Sequence, residues 1–461
     1  MAEISQQYLP ITERNRDQIV RVSKKLIQFR KSARLSALLE KIHAADLARI
    51  WKDYSDIEKS HIIPLISPEK GAVFLSELDT LQRGELIKSQ NTDWIIDRLE
   101  ELSPDDSVDI LKDLPVREAN FILKRFDRSH SQQIKDLMNY PEETAGALMT
   151  SEFFAVLSNA TVESITAQFR KERELQEIED IHFIYVVDKK NHLIGYIPLR
   201  KLILENPKKK AIDIMTPPLV AVHPEMDQEE VAKLFQNFDL ISIPVITKEN
   251  VLIGRITIDD IIDVLEEEAS EDVYKMFGLN KEENFSNGIF LALRHRFPWM
   301  LINIFTTTLS ALTIGIFTGI IEQFVVLALF MPMVAAIGGS TGNQMVAMVV
   351  RGLAIGNLHW RDIRWILIRD ITTVILGSLA LGSMVSLTCY LLFDNTMLGL
   401  VVAIAMLLNM IFATFVGASI PFILRSLKMD PAYGSSILVA ASTDIMGFFI
   451  FLALASIVLI K

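Results

Sequence analysis

A single aspartate, Asp444, lies near the middle of the 29-residue stretch Ala432 to Ile460, which carries no other formal charge. A helix rises about 1.5 Å per residue, so a stretch this long exceeds a hydrocarbon thickness of about 30 Å and reads as a membrane span. The acid then sits near the midplane. A charged carboxylate there costs about 2.5 to 3.5 kcal/mol on insertion scales and usually faces a bundle interior or a watery path. Passage of a cation is the simplest chemistry for it; the alternative is a protonated acid bonded to a neighbouring helix. Ser435, Ser436, Ser442, Thr443 and Gly447 on the same stretch are small enough to let helices approach closely.

A second group of acids lies in the connector Thr257 to Leu279. Ile258, Ile261, Ile262, Val264 and Leu265 follow helical spacing, which crowds Asp260, Asp263, Glu267, Glu268, Glu271 and Asp272 onto the remaining face. Like charges one turn apart destabilise a helix by about 0.2 to 0.5 kcal/mol per pair, so a counter-cation changes how such a helix is held. A solvated acidic face is the ordinary reading of such a run. Its position just ahead of the membrane segments favours a switch, because a local charge change there can bias a two-state element. Farther upstream, SPDDSVDILKDL (103–114) puts Asp105 and Asp109 one turn apart, although a helix N-terminus by itself accounts for Asp105 and Asp106.

The elements that position these acids divide the chain. Residues 1–140 are polar-apolar with helical spacing, and Ser55-Asp56, Ser67-Pro68, Ser103-Pro104 and Leu114-Pro115 mark helix starts, which predicts a small helical superhelix with weak repeats. Residues 141–210 and 211–265 form an internal duplication. Leu148-Met149-Thr150 returns as Ile214-Met215-Thr216, and FIYVV (183–187) with Leu193-Ile194-Gly195 returns as SIPVI (242–246) with Leu252-Ile253-Gly254. The first copy has seven extra residues around 172–178. Each copy reads as helix, buried strand, turn, strand, helix. Residues 259–296 hold the acidic connecting helix and a linker, and 297–461 the membrane domain.

The 461 residues include 46 Lys/Arg and 57 Asp/Glu, for a net charge of −11. From Phe297 onward the count is seven basic to six acidic, so the preceding body carries a net −12. An acidic body argues against nucleic acid and suits a protein that meets cations. Cys389 is the only cysteine, which excludes intrachain disulfides and cysteine-based metal sites. The first residues contain no apolar run of signal-peptide type, so the N-terminus is expected in the cytosol. No nucleophile with a partner base and no ATPase phosphate loop is visible, and the chain is not read as an enzyme.

Five apolar segments can span: 297–321, 323–350, 371–393, 395–424 and 432–460. Arg294 and Arg296 precede the first, Arg351, Arg361, Arg364 and Arg369 lie around the second loop, and Arg425 and Lys428 precede the fifth. The alternate loops carry Glu322 and Asp394 without Lys or Arg. The positive-inside rule therefore places the N-terminal body in the cytosol and the C-terminus outside. Pro332 and the Gly-Gly-Ser-Thr-Gly-Asn-Gln run 338–344 predict a second span that is either broken, with Asn343 and exposed carbonyls available to a hydrated ion, or closely packed. Gly417 and Pro421 predict a bent fourth span.

The duplicated module resembles a tandem pair of CBS domains, a regulatory module that often binds adenine nucleotides. ATP on the pair is therefore one expectation, and a purely structural module the other, since no Gly-rich phosphate loop is present. The whole order of segments resembles the MgtE family of magnesium transporters, supported by YPEETAG (140–146), the Gly-Gly-x-x-Gly-Asn-Gln phrase, Asp430-Pro431-Ala432, and Asp444 with Gly447. The resemblance implies a multidomain α and α+β membrane protein: helical superhelix, CBS pair, connecting "plug" helix and five-helix transmembrane domain in the cell membrane. It implies a homodimer whose pore binds magnesium at Asp444, with the Ala440 carbonyl one turn earlier. It also implies closure by cytosolic magnesium bridging Asp105 and Asp109, then Asp227, Glu229 and Asp239, then Asp260, Asp263, Glu268, Glu271 and Asp272. Two positions depart from the pattern: Ser340 stands where many relatives have asparagine, and Ala440-Ala441 replace a common threonine pair. Magnesium, with other divalent cations as competitors, is the implied cargo. The rival from a different class is a membrane-anchored sensor that signals to a partner without transport.

The loop charges give a direct test of topology. Cysteines introduced beside Glu322 and Asp394 should react with an impermeant thiol reagent on intact cells, whereas those beside Arg361 and Lys428 should react only after permeabilisation. The opposite pattern would overturn the five-span arrangement.

Overall fold

The computed structural model describes residues 10–174, 181–218, 220–280, 289–356 and 358–459. Most of the extra residues of the first repeat lie outside these ranges. The chain forms two compact units, Met1–Val264 and Leu265–Lys461.

In the first unit, the described residues from Glu13 to Leu137 form ten short α-helices and two 3₁₀ turns. Their starts are periodic. Ser55, Ser67, Asp79, Asn91, Ser103 and Asp127 each cap a helix by accepting a hydrogen bond from the backbone N–H three residues on, and Pro115 occupies the same place without a side-chain bond. These positions recur every twelve residues. A cap offsets one of the unpaired N–H groups that begin every helix, typically by about 1 kcal/mol. The core follows the same period: Leu39, Trp51, Ile63, Leu75, Ile87, Leu99, Leu111 and Leu123 are all buried. Stacked helical turns of this kind bury one continuous apolar stripe that no single repeat closes alone.

The duplicated module follows. Strands β1 (Ala155–Leu157), β2 (Phe183–Val187) and β3 (Leu193–Pro198) form one sheet, with β1 parallel to β2 and β2 antiparallel to β3. In the second copy β4 (Ser242–Ile246) pairs antiparallel with β5 (Leu252–Thr257). Both hairpin turns place an asparagine in the left-handed region, Asn191 at φ 62° and Asn250 at φ 64°, which asparagine tolerates better than most residues. The two copies exchange their opening segments. Thr150 exchanges backbone hydrogen bonds with Arg255 of the second copy, and Thr216 exchanges them with Tyr196 of the first. Gly195 and Gly254 make this possible, since a Cβ at either would meet a carbonyl oxygen, Thr216 O at 3.0 Å or Thr150 O at 2.8 Å. The paired Met-Thr and Ile-Gly phrases in the sequence are thus the two sides of one contact.

The connecting helix runs from Ile258 to Met276. Ile261 and Val264 are buried as its spacing predicts, but Ile262 is 57% exposed, so the apolar face is narrower than the sequence reading had it.

The second unit contains five helices long and apolar enough to cross a membrane: Ile289–Ile316, Leu327–Ala354, Ile363–Phe393, Thr396–Ser426 and Ser435–Leu459. The first and third begin eight residues before the expected spans and take in Arg294, Arg296, Arg364 and Arg369. Arginine ends an apolar stretch without ending a helix, because its helix propensity is high and its long stem reaches the interface. The expectation of a broken second span is corrected: it is one helix through Pro332 and the glycines, as is the fourth through Gly417 and Pro421. The glycines serve packing. Gly342 lies against Val439 and the Ala413 carbonyl, and a Cβ on Gly417 would fall 2.5 Å from Gly342 O. Backbone-to-backbone approach of this kind is how spans associate without a hydrophobic drive between them. Leu327, Val334, Val402, Ala405, Phe451 and Leu452 fill the apolar core between the second, fourth and fifth helices. The first span is almost wholly uncovered and has the fifth as its main neighbour.

Candidate functional site

Asp444 is half-buried in the fifth span. Among the described residues no Lys, Arg or His pairs with it, and its carboxylate receives no side-chain hydrogen bond. A protonated acid bonded to a neighbouring helix is therefore not what the structure contains. The preceding residue, Thr443, is fully buried, and its hydroxyl donates to the Ala440 carbonyl at 2.9 Å. That bond takes up one lone pair of the oxygen expected beside the acid. Ser435 donates to the Ala432 carbonyl in the turn ahead of the helix and Ser442 to the Leu438 carbonyl within it, while the buried Ser436 Oγ has no partner.

The second span meets this helix where a Cβ on Gly339 would lie 3.8 Å from the Thr443 hydroxyl and where Gly342 meets Val439. Asn343 is next in sequence to the second contact, as Ala440 is to its partner. Its Oδ1 is buried and has no hydrogen-bond partner. An amide oxygen in that state is an acceptor available to a hydrated cation. The fourth span contributes a residue that the sequence reading did not single out: Asn409, fully buried, with Nδ2 donating to the Val334 carbonyl at 3.0 Å and Oδ1 unpartnered. A lone amide inside an apolar run was the available signal.

The acids of the first unit and the connecting helix separate into groups. The helix Pro104–Lys112 starts at the Ser103 cap, and its first turns face the start of the connecting helix within the first unit. Burial, and next the charge of Asp106, push the Asp105 carboxyl up to about 6, and its Oδ1 is buried without a partner. Burial and then the Asp105 charge push Asp260 up to about 8, although Thr257 Oγ1 donates to its Oδ2 at 2.8 Å. Asp109 is also pushed up to about 6, by desolvation first and, more weakly, by Asp105 and Asp106. Asp106 and Glu77 move in the same direction for the same leading reason, and both feel Asp263. Asp106 and Asp259 belong to this cluster and were not among the predicted ligands.

The other predicted acids have local partners. Asp227 caps the helix Gln228–Phe238 through the Glu229 N–H at 2.8 Å, Glu229 pairs with Lys233 at 2.8 Å, and Asp239 ends that helix in the left-handed region. Glu271 pairs with Lys275 at 2.5 Å, and the same ammonium reaches Asp430 at 2.7 Å. Partial burial opposes the Lys275 charge, but its bonds to Asp430 and Glu271 outweigh that and hold it above the ordinary lysine range. The Lys275 carbonyl also accepts the Gly434 N–H at 2.7 Å, directly ahead of the fifth span. Glu268 and Asp272 lie on the same half of the connecting helix and are half-buried. Among the described residues no three acidic, histidine or cysteine side chains are close enough to hold a metal ion as placed.

Residues 331–454 match the model of the MgtE divalent cation transporters, 42–143 that of the MgtE intracellular N domain, and 145–206 and 211–267 that of the CBS domain. The chain is 33% identical to the magnesium transporter MgtE of Thermus thermophilus, covering 92% of this chain and 95% of that one. The chain belongs to the MgtE family. The magnesium transporter MgtE of Bacillus subtilis is 30% identical over 91% of this chain and 93% of its own length. A crystal structure of the cytosolic domain of the Mg2+ channel MgtE in complex with ATP superposes with a TM-score of 0.50 at 33% identity, covering 53% of this chain and 99% of that one. As a member of this family the chain is a multi-pass membrane transporter and not an enzyme.

The raised carboxyls of the aspartate cluster set a pH dependence. A carboxyl whose pKa is higher in the folded state binds more protons there than when unfolded, so its contribution is present at low pH and is lost as pH rises through the folded value. In metal-free buffer, hydrogen-exchange protection of the Pro104–Lys112 amides, corrected for intrinsic rates, should fall from pH 5 to pH 8. Asp260→Asn should flatten that fall, and an unchanged slope would remove Asp260 from the cluster.

Proposed function

We propose that this chain conducts magnesium across the cell membrane, down its electrochemical gradient, through a path that passes Asp444. The observation that carries the reading is the unpaired carboxylate in the middle of the fifth span of a divalent cation transporter family. An anchor for a sensor has no use for such a group, which disfavours the rival. Magnesium sheds water reluctantly, prefers octahedral oxygen ligands and commonly takes only one or two carboxylates, keeping several waters. Asp444 and the free Asn343 amide oxygen suit a hydrated ion of that kind; the Ala440 carbonyl, which accepts the Thr443 hydroxyl and its helical N–H, joins them only by releasing that hydroxyl. Other divalent cations accept the same oxygens and compete. We infer a homodimer, consistent with the uncovered first span, with two copies of Asp444 sharing the ion, the cytosolic body inside the cell and the C-terminus outside.

Closure by cytosolic magnesium is the second part of the reading. Asp105, Asp109, Asp260 and Asp263 bring repelling carboxylates together at the start of the connecting helix, and a divalent ion relieves that repulsion. Asp227, Glu229, Asp239, Glu268, Glu271 and Asp272 complete the proposed regulatory set; Glu271 reaches it only by sharing or releasing Lys275. The last turn of the same helix is tied through Lys275 to Asp430 and Gly434, ahead of the fifth span. A ligand shifts such an equilibrium only by its differential affinity for the two states, so several weak shared sites give a steeper response than one. The ATP-bound relative makes the CBS pair the place to look for nucleotide binding here.

Flux into liposomes with magnesium on one side and no ATP tests the first part. Asp444→Asn should lower uptake at least about tenfold, a change of roughly 1.4 kcal/mol in barrier terms, without loss of assembly. Wild-type uptake by that variant would reject the acid as the ion's ligand. For the second part, combined Asp260→Asn, Asp263→Asn, Glu268→Gln and Glu271→Gln should shift inhibition by cytosolic-side magnesium to higher concentration. A superimposable inhibition curve would reduce these acids to a solvated face.

A further inference from the structure

Asn409 is a fully buried amide in the apolar fourth span, and nothing in the transport chemistry calls on it. Its carboxamide is wedged between two backbones. A Cβ on Gly338 of the second span would overlap its Nδ2, and a Cβ on Gly447 of the fifth would lie 2.6 Å from the same atom. One bond fixes it, from Nδ2 to the Val334 carbonyl of the second span at 3.0 Å, and Oδ1 has no partner. Gly447 follows Asp444 by three residues, close to one helical turn, and Gly338 precedes Asn343 on the helix that meets Thr443 and Val439. The amide therefore holds both ion-facing helices at one depth.

An amide kept only for stability makes a poor choice at this position. A buried acceptor without a partner carries a desolvation cost that an apolar side chain avoids. Leucine has as many side-chain heavy atoms as asparagine, but it lacks the donor that pins the second span and the flat shape that fits between two glycine backbones. We infer that Asn409 is a positioning residue that fixes the second and fifth spans against each other and so sets the relative placement of Asn343 and Asp444. The inference rests on the Asp444 path proposed above.

The test compares thermal midpoint with transport in the full-length protein. Asn409→Leu removes the donor and the flat shape together. In liposomes its half-saturating magnesium concentration should rise about fivefold or more, since displaced ligands weaken binding and a tenfold weakening corresponds to about 1.4 kcal/mol. Unchanged half-saturation and maximal flux would overturn the inference. So would a lower thermal midpoint with reduced maximal flux and unchanged half-saturation, which is what a merely structural role gives. If Asn409→Leu does not fold, Asn409→Ala decides, because it removes the donor without adding bulk. Its half-saturating magnesium concentration should rise likewise, and wild-type half-saturation in it would overturn the inference. Asp444→Asn, run alongside, reports separately on the path itself, because uptake surviving in that variant sinks the path whatever Asn409 does.

Discussion

A carboxylate held in the apolar middle of a 25-residue helix, with no cation beside it among the described residues, is the constraint on which the second unit depends. Insertion scales put the cost at about 2.5 to 3.5 kcal/mol, and a fold tolerates it where the surrounding helices supply a polar environment without filling it. The fifth span meets this requirement asymmetrically. Thr443, Gly447 and Phe451 are buried against neighbouring helices, while Asp444, one residue around from Thr443, keeps partial exposure. The glycines of the second span bring its backbone close to that buried face, so the helix is gripped on one side and polar on the other.

The first unit carries the opposite problem, too many acids in one place. Asp105, Asp106, Asp109, Asp259, Asp260 and Asp263 lie where a helix N-terminus favours negative charge but cannot neutralise six groups. Lys112, Arg83 and the Ser103 and Thr257 hydroxyls offset part of the charge, but burial, and after it the neighbouring carboxylates, still push Asp105, Asp109 and Asp260 upward. Lys275 shows the contrasting arrangement at the other end of the connecting helix, where one ammonium satisfies Glu271 and Asp430 together. One end of the helix thus shares a single ammonium between two acids, and the other crowds carboxylates together.

Much of this was legible in the sequence where it depended on local patterns. The duplication was visible because both copies keep the residues that touch: Met149-Thr150 against Gly254-Arg255, and Met215-Thr216 against Gly195-Tyr196. The helical superhelix is legible in the Ser-Pro and Ser-Asp starts, but its twelve-residue period is not, because serine, aspartate, asparagine and proline all fill one structural position and no single letter holds it throughout. Glycines in the second span suggested a break, since propensity measured in water penalises them; packing against Val439 and Asn409 reverses that penalty in the membrane. The bond from Lys275 to Asp430 crosses 155 residues, a distance over which spacing gives no signal.

The buried polar atoms without partners in the apolar stretches of the spans are Asn343 Oδ1, Asn409 Oδ1 and Ser436 Oγ, among the described residues. They belong to the second, fourth and fifth helices, the same three that supply the apolar core and the close glycine contacts. Hydroxyls of the first and third helices, such as Thr307, Thr308, Thr372 and Ser378, are instead turned back onto their own carbonyls. A hydroxyl satisfied within its helix is compatible with lipid, and an amide or hydroxyl left open is not. The buried oxygen atoms left uncommitted therefore follow the division of surface: among the described residues of the spans they lie where helices cover one another, which is where an ion that must exchange water for protein needs them.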